Sequence, residues 1–346
     1  MPLRQIDVVI PKEAQHEIDE LLQDETIIHY WRDSGGEESD SCLMKVVLDV
    51  SKTEPFLDRA EQLMGRYPDF RMVIMSVDAT IPRIEEPKKD EEEEPADKES
   101  PEPWERPLEG LRVSREELYT QISDGIKLNR IYLAMVVFST IVAALGILRD
   151  NTAVVIGAMV IAPLLAPNIG LALSTTLGDL ELGRKSLKSN VAGLAVALAI
   201  SILLGMFMTV DESVYQIASR TEVHLSDISL ALASGAAGVL AYTVGMSAAV
   251  IGVMVAVALL PPLVTAGLLF GSMQWDLAVL SFLLLITNVI CVNLAAVATF
   301  ILQGIRPRTW YETRRADQAN RIALALWITL LIALAVIIYV TGSGTP

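Results

Sequence analysis

The chain begins with short segments in which apolar and polar residues alternate, a pattern typical of strands with one buried face. Between these segments lie two stretches with the apolar spacing of amphipathic helices. The predicted elements, in chain order, are a strand at Ile6–Ile10, a helix at 12–23, strands at 26–31 and 42–50, a helix at 54–65 and a strand at 71–77. The order β-α-β-β-α-β is the split pattern of ferredoxin-like folds. Residues 1–83 are therefore predicted to form a small α+β domain with a ferredoxin-like fold, the first part of a multi-domain chain.

Two segments of different character follow this domain. Residues 84–107 are rich in Glu and Pro and have almost no apolar side chains, a composition typical of an acidic, disordered linker. From 108 to 129 apolar residues return with helical spacing, and Leu118, Ile122 and Ile126 fall on one face. We expect this juxtamembrane amphipathic helix to lie at a membrane surface or to pack against a helical bundle.

Residues 130–346 contain seven long apolar stretches, each close to the ~20 residues that a bilayer requires. They lie at 131–148, 152–177, 187–208, 228–244, 247–270, 277–302 and 322–340. Arg and Lys concentrate in the segment before the first stretch and in the loops after the second and the sixth. By the positive-inside rule, this distribution predicts an all-α membrane domain of about seven helices in the cell membrane, with a cytoplasmic N-terminus and an external C-terminus.

Composition changes the list of possible partners and cofactors. Residues 1–129 hold 32 acidic and 16 basic side chains, whereas the remainder of the chain is almost neutral and strongly apolar. An acidic soluble domain argues against nucleic acid as a partner and leaves the lipid bilayer as the main one. The chain has two cysteines and three isolated histidines, which form no zinc or disulfide pattern. We therefore expect no metal site and no cofactor.

An internal repeat at a spacing of 95 residues is the most informative feature. The segment that begins at Ala153 matches the segment that begins at Ala248 at nine of 15 positions. The identities include pairs that apolar composition alone does not explain, notably Gly157 with Gly252 and Pro167 with Pro262. We interpret the two glycines as packing or hinge positions.

The repeat divides the predicted membrane domain into two copies of three helices. The copies occupy residues 130–209 and 226–303, and the helix at 322–341 is an addition. Because three is an odd number, the second copy has to enter the membrane from the opposite face. The sequence therefore predicts a 3+3 inverted repeat, an arrangement that recurs in transporters.

Prolines interrupt the second and fifth predicted helices. Pro163 and Pro167 lie near the middle of the second, and Pro261 and Pro262 near the middle of the fifth. Proline inside a helix removes a backbone hydrogen bond and clashes with the preceding turn, at a cost of ~3 kcal/mol or more. We expect both helices to be broken near the membrane midplane, where paired breaks indicate a binding site or pore.

Amide and hydroxyl side chains lie close to these prolines in the sequence. Together with the four prolines, the candidate pore or substrate residues are Asn168, Asn190, Thr265 and Asn288. The alternative is that these side chains only form hydrogen bonds between helices. No Asp, Glu, Lys, Arg or His lies deep in a predicted span, which argues against a proton relay or a voltage sensor.

Residues 151–179 contain, in this order, Ile-Gly-Ala-Met, Ala-Pro-Leu, Gly-Leu-Ala and Gly-Asp. This segment resembles the signature of a prokaryotic hydrophobic family, domain-of-unknown-function family 389, and the resemblance covers roughly residues 130–300. The family has no established activity, so the resemblance implies no substrate and no catalytic residues.

Two functions fit these patterns. The first is an integral membrane transporter or channel for a small solute or ion, with a cytoplasmic regulatory domain. The second is a membrane-anchored ligand sensor or oligomeric scaffold without transport. In either case we expect a homo-oligomer, because small residues are frequent in the fourth predicted helix. We do not expect an enzyme, because the chain lacks paired acid–base groups and a nucleophile motif.

Overall fold

A computed structural model describes most of the chain, and the chain divides into two compact units, Met1–Glu117 and Leu118–Pro346. The described residues are 3–11, 21–22, 27–33, 41–77, 113–222, 224–246, 248–306 and a few single positions between 325 and 333. The predicted linker at 84–107, most of the predicted helix at 12–23 and most of the seventh apolar stretch lie outside them.

The first unit contains a four-stranded antiparallel sheet. Its strands are β1 (Leu3–Pro11), β2 (Ile27–Asp33), β3 (Ser41–Asp49) and β4 (Arg71–Val77), in the spatial order β2-β3-β1-β4. Helix α1 (Val50–Met64) connects β3 to β4, and Asp49 caps it by accepting a hydrogen bond from the Ser51 N–H at 2.8 Å. The alternation of the sequence predicted these strands, and the helical spacing of its apolar residues predicted this helix, to within a few residues.

The core of this unit lies between one face of the sheet and α1. Successive side chains of a strand point to opposite faces, so every second residue of β1 and β3 turns inward. Those residues are fully buried and pack against Phe56 and Leu57 of α1. They are Ile6, Val8 and Ile10 of β1 and Met44, Val46 and Leu48 of β3.

The second unit is helical. After α2 (Arg115–Gly125) come α3 (Arg130–Leu148), α4 (Thr152–Ile161), α5 (Leu165–Leu177), α6 (Leu180–Phe207), the short α7 (Tyr215–Ala218), α8 (Leu225–Thr243), α9 (Ala248–Gly271) and α10 (Trp275–Leu302). Within the described part of the chain, α3, α6 and α10 are each long and apolar enough to cross a membrane, and the bent pair α4–α5 makes a fourth candidate. These helices are compatible with a membrane protein.

The amphipathic helix α2 packs against the bundle with the face that the sequence predicted. Leu118 and Ile122 are fully buried and Ile126 is almost so. Ile126 contacts the position of Gly170 in α5, and the Ser189 hydroxyl of α6 donates to the Ile126 carbonyl at 2.5 Å. The sequence left two positions open for this helix, at a membrane surface or against the bundle, and the described contacts favour the bundle.

A glycine and an aspartate form the corner between α5 and α6. Gly178 ends α5 with a φ of 71°, a left-handed conformation that glycine adopts without strain. Asp179 then caps α6 by accepting from the N–H groups of Glu181 and Leu182 at 2.9 and 3.0 Å. The Tyr119 hydroxyl of α2 donates to the same carboxylate at 2.9 Å. Burial and this hydrogen bond raise the pKa of Tyr119 to about 12.

The predicted break in the second apolar stretch is confirmed. The axes of α4 and α5 differ by 51° across the interruption between Ile161 and Leu165. Ala162, which precedes Pro163, has φ −70° and ψ 119°, the extended conformation that a following proline favours. Pro167 lies in the first turn of α5, where a backbone N–H has no helical acceptor. Pro163 is therefore the residue that ends the helix.

The predicted break in the fifth apolar stretch is wrong. Helix α9 runs without interruption from Ala248 to Gly271 and contains Pro261 and Pro262. The physical reason begins in the repeat itself, because the spacing of 95 residues places Ala258 where the first copy has Pro163. The second copy thus lacks the proline that ends α4.

The helices of the two copies pack in corresponding pairs. Helix α3 packs on α4 as α8 packs on α9, and α5 packs on α6 as α9 packs on α10. Between the copies, α6 packs on α9 and α10 packs on α5. Most helix pairs of the first copy therefore have a counterpart in the second, although α3 also packs on α9.

Candidate functional site

The unbroken helix α9 depends on a side chain from a neighbouring helix. Pro262 has no N–H, so the carbonyl of Ala258 loses the donor that a helix normally supplies. The Asn288 side chain of α10 donates its Nδ2 to this carbonyl at 2.7 Å. One turn further on, the Ser281 hydroxyl donates to the Pro262 carbonyl at 3.0 Å. Prolines inside membrane helices are tolerated where neighbouring groups satisfy the freed backbone in this way.

A pair of buried asparagine side chains connects the break in the first copy to a helix of the second copy. The Asn168 Nδ2 of α5 donates to the Leu164 carbonyl at 2.9 Å, directly beside the break. The Asn293 Nδ2 of α10 donates to the Asn168 Oδ1 at 3.0 Å and to the Val289 carbonyl at 2.8 Å. Both asparagines are 1% exposed. Residues 125 positions apart in sequence are thus joined inside the helical unit.

Three buried oxygens on α9 and α10 have no hydrogen-bond partner among the described residues. They are Oδ1 of Asn288, Oδ1 of Asn293 and Oγ1 of Thr265. Asn288 is 6% exposed and Thr265 is fully buried. Buried polar atoms are nearly always hydrogen-bonded to protein or to water, so each exception requires an explanation.

Thr265 differs from comparable residues in the neighbouring helices. Thr140 of α3, Ser201 of α6 and Thr287 of α10 each donate to the carbonyl four residues earlier, at 2.7 to 2.9 Å. This bond is the usual way for a helical hydroxyl to be satisfied away from water. The Thr265 hydroxyl makes no such bond to Pro261, although it has no exposure to solvent.

The other predicted positions lie apart from these pairs. Asn190 is buried in α6, and no hydrogen bond joins it to Asn168 or Asn288 among the described residues. A Cβ at Gly157 would have no atom within 4 Å. Gly252 lies in a stretch of α9 whose side chains are outside the description. The site thus contains Asn168 and Asn288 from the predicted set, whereas Thr265 is buried seven residues along α9 from the carbonyl that Asn288 binds.

Asn293 is the member of the site that the predicted set does not include. It follows Asn288 by five residues in an apolar helix, so a polar residue within a predicted span was visible in the sequence. Its partner was not visible, because helical periodicity does not indicate which neighbour a side chain faces.

The site carries no formal charge. Helices α5 and α9 contain no ionisable residue, and in α10 Asp276 stands in the first turn. No group of three His, Cys, Asp or Glu side chains that could hold a metal ion occurs in the described ranges. The chemistry available at the site is that of amides, hydroxyls and backbone carbonyls.

Comparisons with known proteins find a family and a relative. A family profile described as "Domain of unknown function (DUF389)" matches residues 159–294, a range that includes Asn168, Asn288 and Asn293. The chain is 35% identical over 338 residues to a protein of Methanocaldococcus jannaschii named "Uncharacterized protein MJ0678". The match covers 98% of this chain and 99% of the relative, so it extends over both units. No solved structure matches the chain.

Proposed function

The chain belongs to the DUF389 family, and we propose that it is a membrane transporter or channel for a small solute or ion. One observation supports this function most: the α4–α5 break lies beside the buried amides of Asn168 and Asn293, and the Asn293 Oδ1 has no partner among the described residues. Irregular backbone at membrane depth is tolerated where protein or a water-filled cavity covers it. A membrane anchor has no need of such a break, whereas a pathway uses it to present polar groups.

The packing of the helices supports an inverted repeat as the basis of transport. Most corresponding helices of the two copies have corresponding neighbours, as expected of two halves related by a pseudo-twofold axis. The Asn168–Asn293 hydrogen bond joins one half to the other. In this proposal, alternate opening of the halves toward the two sides of the membrane breaks and re-forms that bond.

The remaining parts of the proposal concern the whole assembly. About seven helices cross the cell membrane, with the N-terminus in the cytoplasm and the C-terminus outside, as the distribution of Arg and Lys predicts. The N-terminal domain is ferredoxin-like and regulatory, and its sheet order β2-β3-β1-β4 supports that fold. The protein acts as a homo-oligomer and has no enzymatic activity.

A sensor or scaffold without transport is the second candidate. The close packing of α6 on α9 supports it, because Gly205, Gly267 and Gly271 leave no room for a Cβ between the helices. A dry and rigid bundle would have this kind of contact throughout. The two candidates differ in whether water reaches the break.

Accessibility to a thiol reagent distinguishes the two functions without knowledge of the substrate. Cys42 and Cys291, both buried and neither in a disulfide, are replaced by Ala. Single cysteines are then placed at Asn168 and at Thr265, and a membrane-impermeant thiol reagent is applied to intact cells and to everted vesicles. Labelling from either side is the expected result, because a pathway brings water to the break.

Two further positions serve as controls. Ser213→Cys, in an exposed loop, is expected to be labelled in intact cells. Ala143→Cys, inside the apolar core of the bundle, is expected to stay unlabelled. If Ser213→Cys is labelled and both site cysteines are not, protein encloses the break and the transport function is wrong.

A further inference from the structure

The sheet of the first unit has one side on which α1 does not pack. The side chains of β1 and β3 that point away from α1 alternate with the buried ones, and the strand register joins them into rows across the sheet. One row crosses β2, β3, β1 and β4 in that order and consists of Trp31, Lys45, Asp7 and Val73. We call the side of the sheet that carries this row the open face.

Large apolar side chains are exposed at both edges of the open face. Trp31 on β2 and Val73 on β4 are each 51% exposed, and Met75 on β4 is 39% exposed. The Trp31 ring packs edge-to-face on His29, with the ring centroids 4.5 Å apart. Exposed apolar side chains that are grouped on one surface mark an interaction site.

An ion pair occupies the centre of the open face. The Lys45 Nζ lies 3.8 Å from the Asp7 Oδ2, and the Gln5 amide donates to the Asp7 Oδ1 at 2.8 Å. The two charges lie side by side on neighbouring strands, so the centre of the face is positive on β3 and negative on β1. A partner that covers the face has to present the opposite order of charges.

A second copy of the open face presents that order under one symmetry operation. The operation is a twofold axis that lies between the two faces, runs parallel to the strands and passes midway between β1 and β3. It places β3 over β1 of the second copy, and β2 over β4. Lys45 then comes opposite Asp7 of the second copy in both directions. Trp31 comes opposite Val73, so the exposed apolar edges also meet.

The neighbouring rows agree with this axis. His29 comes opposite Met75 in one row. Leu43 comes opposite Val9 in the other, where both side chains are apolar. An axis that crosses the strands at the level of the ion pair would instead place Lys45 opposite Lys45, which is repulsive.

We propose that the open face is the interface between the N-terminal units of two copies of this chain, related by a twofold axis parallel to the strands. Sheets that pack face to face keep their strand directions within about 30° of each other, as this axis requires. The inference rests on the proposed homo-oligomer, to which it gives a surface, and is independent of the transport function.

Cross-linking of cysteines at the two edges tests the interface in the full-length protein. Trp31→Cys and Val73→Cys are combined in a chain in which Cys42 and Cys291 are Ala, and isolated membranes are treated with a short bis-maleimide, since packed sheets lie ~10 Å apart. We expect a covalent dimer. The matched control combines Trp31→Cys with Ser76→Cys, because Ser76 is exposed on β4 but points to the other side of the sheet. That pair is expected to give severalfold less dimer.

Exchange of the central charges tests the axis. Asp7→Lys and Lys45→Asp are each added to the double-cysteine chain, on chains with tags of different size. Each variant alone brings like charges together across the interface, so its yield of dimer is expected to fall severalfold. When the two are co-expressed, every charge meets its opposite, and we expect the mixed dimer to form at the yield of the parent chain. A folding defect in either variant would not be repaired by co-expression.

The outcomes separate the interface from the proposed homo-oligomer. If no covalent dimer forms, or the Ser76→Cys pair gives as much, while light scattering in detergent gives the mass of two or more copies, the homo-oligomer stands and the inference is wrong. If the mass is that of one copy and no cross-link forms, both fail. A cross-linked product with the mass of a different partner, or charge variants that cross-link as well alone as together, would also overturn the inference.

Discussion

At the scale of the residue, Asn288 replaces a backbone donor that α9 cannot supply. Its amide nitrogen bonds to the Ala258 carbonyl, which Pro262 leaves without a helical partner. The carbonyl is buried, so removal of the amide leaves an acceptor without a donor and without water. The structural role of Asn288 is therefore separate from its free Oδ1, and the two can be measured separately.

We predict that Asn288→Leu destabilises the protein by about 1 to 3 kcal/mol, the cost of a buried acceptor without a partner. The matched control is Asn190→Leu. Asn190 is equally buried, with 6% of its surface exposed, but its side chain has no hydrogen bond to another described residue. That change is expected to be nearly neutral. The measurement is the thermal or denaturant midpoint of unfolding in detergent, and equal losses for the two variants would contradict the assigned hydrogen bond.

At the scale of the element, one proline accounts for the difference between the two copies of the repeat. Pro163 ends α4, whereas Ala258 at the equivalent position lets α9 continue. Pro167 is in the first turn of α5, where its missing N–H costs no helical hydrogen bond. The asymmetry places a break in only one half of the bundle.

We predict that Pro163→Ala joins α4 and α5 into a straighter helix and slows thiol labelling of Asn168→Cys severalfold. Pro167→Ala is the matched control, because it changes a proline that causes no break, and it is expected to leave the labelling rate unchanged. Helical content by circular dichroism should rise in Pro163→Ala alone. Equal labelling rates in the two variants would show that Pro163 does not control access to the break.

The same elements show what could be predicted from the sequence and why the rest could not. Alternation predicted the strands, the helical spacing of apolar residues predicted α1, and the cost of proline inside a helix predicted the break at Pro163, because all three depend on neighbours along the chain. The continuity of α9 depends on Asn288, which comes from another helix. The Asn168–Asn293 bond likewise depends on how two apolar helices are rotated, and their periodicity is too weak to indicate that.

At the scale of the whole molecule, the contact between α6 and α9 holds the two copies of the repeat together. A Cβ at Gly267 would collide with the Cβ of Ser201, and one at Gly205 would collide with the backbone of Leu268. Apolar helices in lipid gain no hydrophobic energy from association, so close packing of small residues supplies much of their attraction. The interface thus depends on the absence of side chains at these glycines.

We predict that Gly267→Ala destabilises the protein by about 1 to 3 kcal/mol, the usual cost of overpacking, because neither the Ser201 Cβ nor the α6 backbone can move freely. Gly157→Ala tests the same substitution where a Cβ would meet no atom within 4 Å. There the higher helix propensity of alanine should stabilise the protein by up to ~1 kcal/mol. Opposite shifts in the unfolding midpoint are therefore expected from one chemical change in two apolar helices. Shifts of the same sign would mean that the α6–α9 contact does not hold the two copies together.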